Sequence, residues 1–338
     1  MRRRGWIRCA LAGAAAVTLL AGCSSGGDTS DKPTREPAAP ASAPAATATP
    51  TGEVSPSAPV TALLAEPETG VLAVLTGDRK TLRLIDRGRS PAEERTIALP
   101  VAAASLAAGA PGEILAPAPD RLLRVHAATG AITELAVDGD ARTAAPRPGG
   151  GYAVGLADGR VQILDAAGTL SHTVRGLVSA DTVVAVNEQV AALDRRQTLV
   201  TELDLDDNRP GLMLRTGDGA GAMIGDHFGR LLVTDTAGGE LLVYTVDPLV
   251  LHQRFPVGSS PYALAYDQRS ETVWVTLTGT NEVVGYDLST GIPEEVGRYP
   301  TVRQPDTVTI DSRSGDMFVG SGTGDGLQRI AADQRKGQ

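Results

Sequence analysis

A strand-like segment returns about every 40 residues along most of this 338-residue chain, and that period constrains the fold more than any other feature. It appears as TLRLID ending at Asp86, LLRVH at His126, RVQILD at Asp165 and LVTELD at Asp204. It continues as LLVYT at Thr245, EVVGYD at Asp287 and LQRIA at Ala331, so the ends lie 40, 39, 39, 41, 42 and 44 residues apart in seven copies. The clearest unit reads YALAYD, a turn, TVWVTL, a Gly-Thr-Asn turn, EVVGYDL and a Ser-Thr-Gly turn closing at Gly291. Apolar and polar residues alternate in each run, with Gly, Asn, Asp and Ser between runs, which is the pattern of half-buried strands joined by tight turns. A fourth strand is expected in RTIALP, ITELAV, HQRFPV and EEVGRYP. Four antiparallel strands per unit, repeated radially, predict an all-β fold: a seven-bladed β-propeller of four-stranded blades. One such sheet cannot bury both of its faces, whereas stacking sheets about an axis buries them all. The seventh unit runs out soon after LQRIAAD, so a strand from the segment near Val54 to Leu64 is expected to close the ring and cover an open sheet edge.

The stretch VGSSPYALAYDQRSETVWVTLTGTNEVVGYDLSTG resembles the YVTN-type, YncE-like seven-bladed propellers. The likeness rests on a Gly-x-x-Pro approach to the innermost strand and a V(W/Y)VT second strand, and it extends to RQPDTVTIDSRSGDMFVG. The first three units keep the period and the turns without that signature. The resemblance implies the fold and a range of binding roles, because a propeller does not by itself choose a function.

The first 22 residues lie outside the repeats. Met1-Arg2-Arg3-Arg4, an apolar run from Cys9 to Ala21 and Leu20-Ala21-Gly22-Cys23 have the parts of an export signal. The apolar run is too short for a spanning helix. Leu-Ala-Gly-Cys resembles a bacterial lipobox, which implies cleavage of residues 1–22 and lipid on Cys23; Arg3-Arg4 resembles a twin-arginine signal. The expected location is the extracytoplasmic face of the cell membrane. Residues 23–59 read as a tether, because seven prolines and eight alanines in residues 24–59 cannot build a core. As a flexible coil this tether has an end-to-end distance on the order of 30 Å. Residues 60–338 are the propeller. With Cys9 in the signal, Cys23 is the only remaining cysteine, so the domain has no internal disulfide. The formal net charge is -9, and it becomes -13 without the four arginines of residues 1–22. That acidity argues against nucleic acid as a partner.

No motif commits the chain to one chemistry. His126, His172, His227 and His252 fall in different units at no metal-ligand spacing, so no metal or other cofactor is expected. Asp204-Leu205-Asp206-Asp207-Asn208 begins like a calcium loop, but Arg209 and Arg215 stand where Gly and Glu are needed. In a propeller, the loops leading into the innermost strands ring the channel mouth. Their positions here are near Ser105, Arg142, Asp181, Asp226, Tyr262 and Asp306, with His227 and Arg303 adjacent. Arg142, Asp181, Asp226, His227, Tyr262, Arg303 and Asp306 are therefore the candidate ligand-binding residues, and none is assigned as catalytic. The expected function is a monomeric, membrane-anchored lipoprotein with a non-catalytic binding or scaffold role toward a protein or small molecule. The alternatives are a lactonase-like hydrolase with its site at the channel mouth and an accessory component of an envelope transporter.

Overall fold

Each of the seven recurring segments has a β-strand at its centre in the computed structural model, which describes residues 32–89 and 92–335. The expected signal sequence and Cys23 lie outside the described residues. Turn residues do what their chemistry allows: Asn281 and Gly291, which follow the second and third strands of the clearest unit, sit at φ 56° and 81°.

The described strands form six sheets, all with antiparallel neighbours. Four of them run in simple order from inside to outside. The first holds Val60–Ala65, Leu72–Thr76, Thr81–Asp86 and Glu93–Ala98; the third opens with Thr182–Val186, the fourth with Ala220–Gly225 and the fifth with Pro261–Asp267. From the third sheet to the sixth, successive opening strands pack against one another; Thr182–Val186 also meets Ile132–Pro146 of the second sheet, and Val60–Ala65 meets Pro305–Ile310 of the sixth. Hydroxyl groups tie these strands across the gaps. Thr143 Oγ1 accepts from Val183 N at 3.1 Å, Thr234 Oγ1 donates to the Tyr262 carbonyl at 3.0 Å, and Thr309 Oγ1 accepts from Ala65 N at 3.0 Å. Outer strands such as Val250–Pro256 alternate exposed and half-buried residues, as a strand with one wet face should.

Apolar layers between sheets hold the ring. Leu75 and Leu84 meet Ile114 and Val125 between the first and second sheets, and Leu241 and Val243 meet Val273 and Val275 between the fourth and fifth. Val60 and Leu72 meet Phe318 and Leu327 where the sixth sheet returns to the first. Each fully buried Val or Leu contributes about 1.5–3 kcal/mol, so a layer of such residues outweighs any surface ion pair. Trp274, 1% exposed, faces Gly285 across its strand pair; a Cβ there would lie 2.8 Å from the indole, so only glycine leaves room for the ring.

Two expectations are corrected. The blades number six sheets, not seven, because the units around His126 and Asp165 form one six-stranded sheet. The strand Ile132–Pro146 runs on through Asp138-Gly139-Asp140, where a break between units was expected, and pairs first with Glu113–His126 and then with Tyr152–Leu156. This sheet buries part of itself: Leu115 and Leu122 from one half pack with Val154 and Leu164 from the other. The ring is also not closed by a strand over residues 54–64. Val60–Ala65 is the opening strand of the first sheet, and the circuit closes by its packing on the sixth. The N-terminal chain that the sixth sheet takes up is the three-residue edge strand Glu53–Ser55, paired with Leu327–Ile330.

Candidate functional site

The opening strands all start at one end of the propeller, called here the leading end, and finish at the trailing end. Five of the seven candidate residues lie at the leading end. Asp181 immediately precedes Thr182–Val186, Tyr262 and Asp306 are the second residues of their opening strands, and Arg303 sits in the loop before Pro305. Arg142 lies in Ile132–Pro146 beside Ala141, which pairs with the leading-end residue Leu156. Its carbonyl accepts from Ser105 Oγ at 2.9 Å, so Ser105 and Arg142 are neighbours.

Asp226 and His227 are at the other end, a correction with a simple cause. They follow Ala220–Gly225 instead of leading into it, so they sit on the hairpin to Arg230–Asp235. There the Asp226 carboxylate accepts from Phe228 N, Arg230 N and Arg230 Nε at 3.0, 2.9 and 2.6 Å, a turn that closes on itself. The His227 ring stacks near Phe228 and Tyr266, at 3.9 and 5.6 Å between centroids.

At the leading end the side chains have a different partner. Residues 32–52, expected as free tether, contain no strand but lie along this end from the second sheet to the sixth. Lys32 Nζ donates to the Gly176 carbonyl, and the Arg35 amide donates to the Arg196 carbonyl at 2.9 Å. Arg195 Nη2 donates to the Ala38 carbonyl at 2.5 Å. The Ala41 amide donates to Ser260 Oγ at 2.9 Å and the Ala43 amide to Gln304 Oε1 at 2.8 Å. Gln304 Nε2 returns a bond to the Ala41 carbonyl at 3.1 Å, Arg303 Nε reaches the Ala43 carbonyl at 3.3 Å, and Asn281 Nδ2 reaches the Pro44 carbonyl at 3.0 Å. Composition excludes a core for this segment, yet it does not prevent its backbone from being bound.

The candidate carboxylates support these contacts from behind. Asp181 Oδ2 accepts from Ser179 Oγ at 2.6 Å and from the Arg195 amide at 2.8 Å, which fixes the residue that grips Ala38. Asp306 Oδ1 accepts from Gln304 Nε2 at 2.8 Å, so the amide that reads Ala41 and Ala43 is itself oriented. Burial pushes the Asp306 carboxyl above the ordinary aspartate range, and the Gln304 bond only partly offsets that. Tyr262 is half-buried beside Pro261, whose carbonyl accepts from Thr236 Oγ1 at 2.7 Å.

Sequence reasoning missed Arg195, Ser260, Asn281 and Gln304. A signal existed for two of them: Ser260 and Gln304 each precede the proline that opens an innermost strand, Pro261 and Pro305. Both adopt left-handed backbone, φ 56° and 55°, which turns their side chains to the same use in consecutive sheets. Among the described residues there is no group of three or more His, Cys, Asp or Glu arranged to hold a metal ion. No described helix is long and apolar enough to cross a membrane.

No protein-family model matches this sequence, and no curated protein matches it either. Solved structures do. A chain of the mitotic checkpoint complex is similar with a TM-score of 0.72 at 12% identity, over 86% of this chain and 97% of that one. Hydrazine synthase of Kuenenia stuttgartiensis is similar with a TM-score of 0.66 at 11% identity, over 80% and 95%. Virginiamycin B lyase of Staphylococcus aureus is similar with a TM-score of 0.65 at 13% identity, over 85% and 97%; a histidine-to-alanine variant of that lyase is catalytically inactive. At such identities the likeness establishes a β-propeller and nothing about activity.

Proposed function

We propose that this protein is a lipoprotein anchored through Cys23 on the extracytoplasmic face of the membrane, whose propeller works by binding at its leading end. The observation that carries this reading is the set of side chains there, Arg195, Ser260, Asn281, Arg303 and Gln304, that hold another stretch of backbone without chemistry of their own. Such a surface positions a chain by hydrogen bonds and tolerates varied side chains, which suits a binding or scaffold role. Only eight residues separate Cys23 from Lys32, so a lipid on Cys23 holds the leading end within about 30 Å of the bilayer.

A histidine-dependent reaction like that of the lyase neighbour finds little support in the placement of the four histidines. His126 Nδ1 accepts from the Thr129 amide in a turn, His172 and His252 lie on outer strands, and His227 is at the trailing end. The test is photo-crosslinking in the native envelope, with the reactive residue placed at Tyr262 or at His227 of the anchored protein. The binding reading expects a discrete partner band from Tyr262 and none from His227. Crosslinks from His227 alone, or turnover of a lactone panel by the purified protein, contradict it.

A further inference from the structure

The segment around residues 37–44 touches the propeller as a bound peptide would. Exposure along it returns at every third residue: Glu36, Ala39 and Ser42 are exposed, while Pro37, Ala38, Pro40, Ala41 and Ala43 are half-buried or buried. A three-residue period belongs to the polyproline II helix, where α-helix and strand have 3.6 and 2. Prolines at 33, 37, 40 and 44 favour that conformation and lower the entropy lost on docking. A polyproline II chain has no internal backbone hydrogen bonds, so a surface that recognises it must supply side-chain donors and acceptors. Here Arg195, Ser260, Asn281, Arg303 and Gln304 supply them, and every one of their bonds to the segment ends on a backbone atom.

Size is selected as well. Ala43 is 4% exposed, and a Cβ on Gly219 would lie 2.8 Å from the Ala38 Cβ. Larger side chains at the inward positions have no room, whereas the outward positions are free to vary.

We infer that the leading-end groove is a recognition site for extended proline- and alanine-rich peptide, and that residues 37–44 are its built-in competitor. This rests on the leading end being the binding face and names the class of ligand it takes. A partner's proline- and alanine-rich segment displaces the protein's own, and displacement lengthens the tether. Because the internal segment is anchored nearby through Glu53–Ser55, its effective concentration is on the order of millimolar, enough to mask the groove from a weak external peptide.

The test uses the full-length protein in detergent micelles and a fluorescent peptide with the sequence of residues 33–46. The double variant Ala41→Glu/Ala43→Glu, which cannot seat its own segment, is expected to bind the peptide at least tenfold more tightly than the unaltered protein. Adding Gln304→Ala and Asn281→Ala is expected to abolish that gain, with the circular dichroism spectrum of the folded sheets unchanged. A gain that survives those two changes places the peptide elsewhere and overturns the inference, as does a dimer in light scattering that the Ala41→Glu/Ala43→Glu variant dissolves, since the segment then exchanges between copies. No gain, with Tyr262 crosslinks still forming in the envelope, overturns the inference and leaves the binding face standing. Loss of those crosslinks as well overturns both.

Discussion

The two ends of the innermost strands carry similar residues and use them differently. At the trailing end, polar groups are consumed by their neighbours. Asp226 closes on Arg230, four residues on, and Glu66, 2% exposed, accepts from the Thr69 amide and hydroxyl at 2.7 and 2.6 Å. Burial of Glu66 works against its charged form, but the bonds from Thr69 hold its carboxyl below the usual range. Asp267 meets Arg335 at 3.2 Å with both side chains fully buried, and that guanidinium lies 5.1 Å from the Trp274 ring centroid. At the leading end, Asp181 and Asp306 orient other groups, Arg195 and Gln304, that reach a distant part of the chain. Satisfied turns make a frame. Side chains with bonding capacity left for a second backbone make a surface for binding.

The comparison is broken most forcefully at Asp267. Asp267→Ala leaves the buried Arg335 charge without that carboxylate, and the expected cost is about 3–5 kcal/mol in urea unfolding. The same variant should leave Tyr262 crosslinking intact where the protein remains folded. A cost near zero would mean that the trailing end is less committed to the frame than its geometry implies.

Much of this frame is legible in the sequence, and the reason is periodicity. Alternation along TVWVTL and EVVGYD requires strands, and spacings near 40 residues require repeated sheets. The blade count is not legible, because Asp138-Gly139-Asp140 follows ITELAV as a turn would, while in the fold the strand Ile132–Pro146 runs on through it with Gly139 at φ 129°. The assignment of Asp226 fails for a related reason: an aspartate beside a strand looks the same at either end, and only the register decides which. The docked segment is hidden because Ala and Pro promise no core of their own. What binds it is a set of polar side chains from three sheets, brought together only by closure of the ring.

A second variant sharpens the contrast from the leading end. Gln304→Ala removes the amide that serves Ala41, Ala43 and Asp306, and the expected destabilisation is about 1–2 kcal/mol. Its main effect should be local, with proteolysis between residues 37 and 52 accelerated several-fold while the sheets stay protected. Equal acceleration throughout the chain would make Gln304 part of the frame instead.

The smallest effect concerns Asp306. A carboxyl whose folded pKa is raised by burial contributes most to stability when protonated, below its unfolded pKa, and that contribution is lost as pH rises through the raised folded value. Asp306→Asn keeps an acceptor for Gln304 and removes the charge. It should raise stability at pH 7 by less than about 1 kcal/mol and flatten the stability profile just above the ordinary aspartate range. A profile identical to that of the unaltered protein would show that the carboxylate is solvated.

The docked segment itself is tested most directly by residue-resolved amide hydrogen exchange on the full-length protein. The structure predicts slow exchange at Ala41 and Ala43, whose amides are held by Ser260 and Gln304, and fast exchange at the exposed Ala39 and Ser42. Uniformly fast exchange across residues 37–44 would contradict the account, because the leading end would then hold no chain at all.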